Sequence, residues 1–234
     1  MTDQWFKVVR SDMSSFADPT FVYEIGKRMR PKGVRVDGTL CRPGYLHASP
    51  SPPQAATFNA RWPYRLFRVD GTPAVDVASK TGFRQLTVVE ERPVSECFGP
   101  NGVEVLRVIR RAEQLTKDEV GQLNAVRAAA PAAVWDAAGD AAQGAVWDAA
   151  GDAAWYAAGA AAWYAVWAAV WDAVWAAAGD AAGADAGAAA RNAGRGVVAR
   201  PLIGQHGFTQ QHFDTLVGPW LKVVGPTWEA DDDR

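Results

Sequence analysis

Residues 132–194 follow a four-residue pattern of apolar positions, in which tryptophan or glycine recurs in one position and alanine fills most of the others. Because alanine has the highest helix propensity, this segment is predicted to be helical. A helix advances about 100° per residue, so each repeat moves the tryptophan position by about 40° around the helix axis. The tryptophans are therefore not expected to share one narrow face of the helix.

Two arrangements satisfy this geometry. A partner can wrap around one long helix in a right-handed sense, because the repeat is longer than 3.6 residues. Alternatively, the segment breaks into shorter helices that pack on each other, and we favour this arrangement because a lone helix of about 90 Å is unusual in a small protein. Gly-Asp pairs are either the breaks or helix-interior notches that receive tryptophan side chains. They are Gly139-Asp140, Gly151-Asp152 and Gly179-Asp180.

Short apolar runs in the first 111 residues predict a small, mostly β domain, because they are rich in valine, leucine and phenylalanine. The predicted strands are residues 5–9, 21–25, 34–40, 64–69, 83–90 and 103–109. A group of prolines at 50–53 predicts a rigid loop, followed by one helical turn at 54–59.

Capping residues mark two further helices. Thr116 and Glu119 have the spacing of a capping box, and Thr209 is placed as the N-cap of a C-terminal helix. Gly218-Pro219 predicts the end of that helix. The expected fold class is therefore α+β, with a mostly antiparallel β domain at 1–114, an Ala/Trp-rich helical repeat segment at 115–196, and a C-terminal helix with an acidic tail at 197–234.

The charge balance gives no reason to expect a nucleic-acid partner, since the net charge is −2. Residues 1–116 carry 17 basic against 12 acidic side chains, whereas residues 134–190 carry seven aspartates and no basic residue. We interpret this asymmetry as a contribution to solubility. The basic run at 27–32 is interpreted as a solvated face.

The two cysteines, Cys41 and Cys97, form no disulfide framework and no metal motif, which favours reduced thiols in a cytoplasmic setting. The polar N-terminus contains no apolar signal core. Residues 153–171 are uncharged and of membrane-spanning length, but alanine is only marginally apolar and no basic residue flanks the run. A membrane-associated helix therefore remains an alternative that we do not favour.

The candidate catalytic residues in the N-terminal half are four side chains, Tyr23, Cys41, His47 and Lys80. A thiol and an imidazole can form a nucleophile–base pair if the fold brings them together. The structural interpretation is a buried cysteine and a histidine that hydrogen-bonds the loop backbone. The three histidines are scattered and joined by no carboxylate motif, so neither a metal nor another cofactor is expected.

The N-terminal half resembles an uncharacterised domain that is common in phage and bacterial genomes. The matching elements follow an opening lysine-containing strand and are Tyr-x-x-Gly-Lys at 23–27, Leu-Cys-x-x-Gly and His at 40–47, Val-x-Gly at 69–71, and Lys80. Compared with the pattern of that domain, this chain has one extra residue between Gly44 and His47. The Ala/Trp repeat and residues 202–209 resemble hypothetical proteins of actinobacterial phages, which implies the cytoplasm of a bacterial host cell as the location. Neither resemblance implies an activity.

The same half also resembles ADP-ribosyltransferases in its layout. His47-Ala48-Ser49, a helix at 54–58 and a strand at 65–69 would hold NAD in that family. The resemblance further implies a late catalytic glutamate, for which Glu90 and Glu104 are the candidates.

Seven tryptophans on an alanine scaffold need a protein surface to cover them, because exposed apolar patches of that size mark partner surfaces. The predicted interface residues are Trp155, Trp163, Trp167, Trp171 and Trp175. Our first hypothesis is therefore a non-enzymatic protein that self-associates or binds another protein through these repeats. The alternatives are an ADP-ribosyltransferase-like or other nucleotide-binding enzyme in the N-terminal domain, and a membrane-associated helix.

Overall fold

The computed structural model describes residues 4–33, 44–56, 60–77, 80–152 and 183–227. Antiparallel sheets occupy the N-terminal half and helices follow, so the predicted α+β class is confirmed. The contacts divide the chain into two compact units, with a boundary between Cys97 and Phe98, whereas the sequence predicted a domain boundary after residue 114.

Two antiparallel sheets make up the first unit. In chain order the strands are Trp5–Arg10 (β1), Arg28–Met29 (β2), Leu46–Ala48 (β3), Tyr64–Asp70 (β4), Pro73–Val77 (β5), Lys80–Phe83 (β6) and Leu86–Arg92 (β7). The strands of one sheet lie in the order β1-β4-β7-β2, and those of the other in the order β3-β6-β5. A short helix, α1 (Pro52–Ala56), follows β3 and contains part of the predicted helical turn.

Alternation along the strands builds the core of the first unit. Trp5 and Val9 lie four positions apart on the same face of β1, and both are buried in one apolar cluster with Phe67 and Phe83. The Trp5 and Phe83 rings meet edge to face with centroids 5.4 Å apart. This contact joins the two sheets, because Trp5 lies in β1 and Phe83 in β6.

Two of the predicted strands are absent from the structure. Residues 103–109 belong to α2 (Gly102–Ala112), because Val105, Ile109 and Ala112 recur at helical spacing and are buried together. Their β-branched composition suggested a strand, but tertiary packing overrides that propensity. Residues 21–25 form only isolated bridges, one of which joins Val22 to Ser14. The predicted strand at 34–40 lies outside the described residues.

The second unit is helical. Besides α2 it contains α3 (Lys117–Ala128), α4 (Ala132–Asp152), α5 (Gly183–Ala199) and α6 (Gln210–Val223). The small-residue helix α5 packs against each of the other four. Its alanines at 186, 189, 190 and 193 are buried, so the neighbouring helices approach its backbone closely.

Both predicted capping residues begin helices. The Thr116 hydroxyl accepts a hydrogen bond from the Glu119 amide, and the Glu119 carboxylate accepts one of 2.8 Å from the Thr116 amide. Thr209 caps α6 in the same reciprocal way, with His212 in place of a glutamate.

The predicted end of α6 at Gly218-Pro219 is wrong, because the helix continues to Val223 with Pro219 inside it. A proline inside a helix costs about 3 kcal/mol. The next residue, Trp220, is fully buried, and its indole N–H donates to Thr227 Oγ1 at 3.1 Å. Burial of a large aromatic side chain offsets a cost of this size.

The described parts of the repeat are helix α4 and the first residues of α5, and Gly139-Asp140 lies in the interior of α4. Trp135 is 8% exposed and Trp147 is 50% exposed, as expected when the tryptophan position turns around the helix axis. Because α4 packs against α5, residues 132–194 do not form one straight helix. The notch at Gly139 faces a guanidinium nitrogen of Arg195, 3.1 Å from where a Cβ would lie.

Among the described helices, none has both the length and the hydropathy needed to cross a bilayer. The uncharged run at 153–171 lies outside the described residues, as does the Gly-Asp pair at 179–180.

Two glycines in helices provide a matched test of this packing. At Gly196 in α5 a Cβ would lie 2.6 Å from Val217 Cγ1 and 3.5 Å from Leu216 Cβ, whereas at Gly144 in α4 it would meet nothing within 4 Å. We expect Gly196→Ala to lower the free energy of unfolding by about 1–2 kcal/mol, because overpacking costs more than the helix propensity of alanine returns. Gly144→Ala should raise it by about 0.5–1 kcal/mol. Urea unfolding followed by helical circular dichroism measures both, and an equal effect of the two variants would contradict this packing of α5 on α6.

Candidate functional site

A cavity of about 580 Å³ opens in the first unit, where β1 lies next to β3. The backbone of Phe6 exchanges two hydrogen bonds of 2.8 Å with that of Ser49, which directly follows β3. This bridge holds β1 beside the second sheet. The walls of the cavity come from β1, the segment 15–23, β3 and the first residue of β6, Lys80.

Lys7 projects into this cavity from the same face of β1 as the buried Trp5 and Val9. Its Nζ donates a hydrogen bond of 2.7 Å to the main-chain oxygen of His47 in β3. The same nitrogen lies 5.0 Å from the centroid of the Tyr23 ring, within cation–π range. Burial, and to a smaller extent the positive charge of Lys80, lower the pKa of Lys7 to about 8.

Aromatic side chains form the apolar part of the cavity wall. Tyr23 is 2% exposed, and its ring meets that of Phe21 edge to face at 5.0 Å. Burial raises the pKa of the Tyr23 hydroxyl, so the phenol stays protonated and able to donate a hydrogen bond at neutral pH. Phe16 and Tyr45 also line the cavity.

Lys32 and Asp18 lie at the cavity rim. Lys32 Nζ donates to the main-chain oxygen of Thr20 at 3.0 Å, and the Asp18 carboxylate accepts a hydrogen bond of 2.7 Å from the Thr20 hydroxyl. Hydrogen bonds from Thr20, followed by the charge of Lys32, hold the pKa of Asp18 below its usual value. Among the described lining residues, three lysines therefore face one carboxylate, and the cavity carries a positive potential.

The structure brings three of the four sequence-predicted residues together. Tyr23, His47 and Lys80 all line this one cavity. His47 pairs with Gly82 across β3 and β6, which places it close to the strand that begins at Lys80. Cys41, the fourth residue, lies outside the described residues, so the proposed thiol–imidazole pair stays a prediction.

The interface predicted at Trp155, Trp163, Trp167, Trp171 and Trp175 also lies outside the described residues. The interaction hypothesis built on these five tryptophans therefore stays a prediction.

Only some of the residues that suggested an ADP-ribosyltransferase lie at the cavity. Residues 47–49 and Ala55 of α1 line the cavity, whereas neither candidate glutamate does. Glu90 in β7 accepts a hydrogen bond of 2.9 Å from Arg68 Nε. Glu104 belongs to α2 in the second unit and pairs with Arg200 at 2.7 Å. Both carboxylates therefore serve ion pairs, and no catalytic glutamate is assigned among the described residues.

Cys97 is a buried free thiol in the 3-10 helix Val94–Phe98. Burial raises its pKa, which keeps the sulfur in the unreactive thiol form. No group of three or more histidine, cysteine, aspartate or glutamate side chains with metal-binding geometry occurs in the part of the chain that the structure describes.

Sequence reasoning missed Lys7 as a site residue, although a signal was present. The strand reads Trp-Phe-Lys-Val-Val, so period-2 alternation puts the lysine on the side of Trp5 and Val9. A lysine at a core-facing strand position is unusual, because burying an ammonium group costs free energy. Lys32 carried no such signal within its basic run.

No protein-family model, no curated protein and no solved structure matches this chain. The cavity is therefore interpreted from its own residues.

The Coulombic effect of Lys80 on Lys7 is directly testable. Lys80→Met removes the neighbouring positive charge, so we expect the pKa of Lys7 to rise from about 8 part of the way toward the ordinary lysine value of about 10.4. An NMR titration of the lysine Hε–Cε signals measures it. Lys27→Met is the matched control, because Lys27 is exposed, pairs with Glu24 and is not a lining residue. A pKa of Lys7 that does not move with Lys80→Met, or that moves equally in the control, would contradict the proximity of the two lysines.

Proposed function

We propose that the first unit binds a small anionic molecule with an aromatic ring, of the nucleotide class, in the cavity between β1 and β3. The observation that carries this proposal is the convergence of Lys7, Lys32 and Lys80 on one cavity that has a single acidic lining residue, Asp18, among those described. The volume of about 580 Å³ is within the range of small-molecule sites, roughly 300–1,000 Å³.

Charge supports an anion as the ligand. Two unit charges 4 Å apart attract by about 4 kcal/mol at the effective dielectric constant of a protein surface, roughly 20. A phosphate or carboxylate beside Lys80 would also offset the repulsion between Lys80 and Lys7. A cationic ligand would meet the opposite sign of potential at the same positions.

The aromatic wall supports a planar group on the same ligand. Phe16, Phe21 and Tyr45 line the cavity, and aromatic rings stack on bases or other flat rings with about 1–3 kcal/mol for each base. This combination of lysines and rings corresponds to the nucleotide-binding alternative from the sequence. The proposal concerns binding only and assigns no reaction of the bound nucleotide.

We expect AMP to bind at least tenfold more tightly than adenosine, because only AMP presents a phosphate to the lysines, and tenfold corresponds to about 1.4 kcal/mol. Isothermal titration calorimetry of the full chain measures both ligands. Raising the salt concentration should weaken the binding of AMP more than that of adenosine, since salt screens the charge interaction.

Lys80→Gln should weaken the binding of AMP by about three- to tenfold, by about 0.7–1.4 kcal/mol. Lys27→Gln is the matched control and should leave the affinity unchanged, because Lys27 is not a lining residue. Adenosine binding as tightly as AMP, or an equal loss in both lysine variants, would refute an anion site in this cavity.

We propose as a second candidate that the Ala/Trp repeat mediates self-association. Trp147 supports it, since this large apolar side chain is 50% exposed on the described part of the repeat. Tryptophan is a favoured anchor at interfaces.

Light scattering coupled to size exclusion tests this second candidate. We expect the wild-type chain to form a dimer or larger species, and Trp147→Ala to raise the monomer fraction at equal concentration. Val103→Ala is the control, because Val103 is 52% exposed on α2, outside the repeat. A wild-type chain that stays monomeric at 100-fold dilution and at high concentration alike would exclude self-association.

A further inference from the structure

We propose that Lys7 is a nucleophilic amine that forms an imine with an anionic aldehyde or ketone held in the cavity between β1 and β3. This inference rests on the proposed anion-binding role of the cavity and names the reactive ligand class. Lys80 and Lys32 would attract the anionic group of the ligand, and its carbonyl carbon would reach Lys7 Nζ.

The position of Nζ suits this chemistry. Lys7 lies on a rigid strand, and its hydrogen bond of 2.7 Å to the main-chain oxygen of His47 fixes where the nitrogen sits. A neutral amine that donates one N–H to a carbonyl keeps its lone pair directed elsewhere. Lys7 is one of the residues that line the cavity, and we propose that this lone pair is directed toward a ligand inside it.

The surroundings of Lys7 favour its neutral form. Burial and the charge of Lys80 lower its pKa to about 8, whereas the cation–π contact with Tyr23 favours the charged form. At pH 7.5 about a quarter of the Lys7 side chains would be neutral, against about 0.1% for a lysine with the ordinary pKa of about 10.4. Desolvation next to another cation is one of the known ways in which lysine becomes a nucleophile.

The proposed step balances in atoms and charge. The Lys7 amine attacks the carbonyl carbon, a C–N bond forms, and the carbonyl oxygen takes up a proton to give a carbinolamine. The C–O bond then breaks and the oxygen leaves as water. One carbonyl compound, one amine and one proton therefore give one protonated imine and one water molecule, with no oxidant or reductant required.

Other titratable groups that face the cavity fit this scheme. Tyr23 has a raised pKa, so its phenol stays protonated and able to donate a hydrogen bond, while Lys80 supplies positive charge for the ligand. Asp18 lies at the rim, where its carboxylate is held by Thr20. His47 also lines the cavity, and its main-chain oxygen positions Lys7.

Borohydride trapping of the full chain tests the inference, with pyridoxal 5′-phosphate as an anionic aldehyde probe at a concentration equal to that of the protein. Reduction converts an imine to a stable secondary amine, which peptide mass mapping assigns to a residue. We expect labelling of Lys7 to exceed that of the exposed Lys27 at least tenfold. Labelling should rise with pH, with a midpoint at or above about 8 and below the ordinary lysine pKa of about 10.4, because the phosphate of the probe offsets the charge of Lys80. AMP should compete with the label.

Two variants and one non-reactive analogue make the result specific. Lys7→Arg keeps the charge but forms no imine, so it should lose the dominant label, whereas Lys27→Arg should keep it. Pyridoxine 5′-phosphate has no aldehyde and reports binding alone. If it binds while the aldehyde labels lysines without preference for Lys7, the imine is refuted and the anion site stands. If Lys7 is labelled selectively although neither pyridoxine 5′-phosphate nor AMP binds, the imine stands and the nucleotide-class proposal falls.

Discussion

Lys7 lies on the core face of β1, between Trp5 and Val9, where an ammonium group loses much of its contact with water. Burying a charge without partners costs several kcal/mol, so a strand accepts such a residue only where polar groups or water remain in reach. The main-chain oxygen of His47 provides one acceptor, and the cavity provides access to water or ligand. The contact that lowers this cost also ties β1 to β3, beside the Phe6–Ser49 bridge. The cavity and the junction of the two sheets therefore depend on the same side chain.

The helical unit depends on a different constraint, the mismatch between a four-residue repeat and a helix of 3.6 residues per turn. Over the three repeats from Trp135 to Trp147 the tryptophan position turns by about 120°. One indole is therefore buried and the other half exposed on the same helix. Alanine fills most of the other positions of the repeat. In α5 its small side chain allows close packing on the four neighbouring helices. The repeat thus favours a helix that can be contacted from several sides.

Local signals allowed the correct prediction of helix starts, since a capping box needs only two residues three apart, as at Thr116 and Glu119. The fold class and strands β1 and β4 also followed from periodicity and composition. Residues 103–109 were misassigned because β-branched side chains resemble a strand until their partners are known, and burial of Val105 and Ile109 on one face was decisive. Pro219 was misread for a similar reason, because the burial of Trp220 one residue later is a tertiary effect. In both places, packing against residues distant in sequence outweighed local propensity.

The candidate site was harder to predict, because its residues come from positions 7, 23, 32, 47 and 80 and only strand pairing brings them together. Tyr23, His47 and Lys80 were found from a motif-like pattern, whereas the grouping of three lysines depends on the Phe6–Ser49 bridge and on the pairing of β3 with β6. No local pattern encodes a register between strands 40 residues apart. The core-facing position of Lys7 was readable from alternation alone, but its two neighbours that matter, Lys80 and the His47 oxygen, were not.

Within the proposed scheme, binding and reactivity act on Lys7 in opposite directions. Lys80 lowers the pKa of Lys7 because both are positive, so an anion that neutralises Lys80 raises that pKa and reduces the neutral fraction of the amine. Each pKa unit gained costs up to about a factor of ten in free amine. Holding the carbonyl next to the amine acts the other way, with effective molarities of about 10⁵ M or more for well-oriented groups. A complete return to the ordinary lysine pKa would reduce the neutral fraction of Lys7 by a factor of about 250. This loss is smaller than the gain in rate from holding the carbonyl next to the amine. The anion that weakens the nucleophile therefore still favours imine formation, provided that it orients the carbonyl toward Lys7.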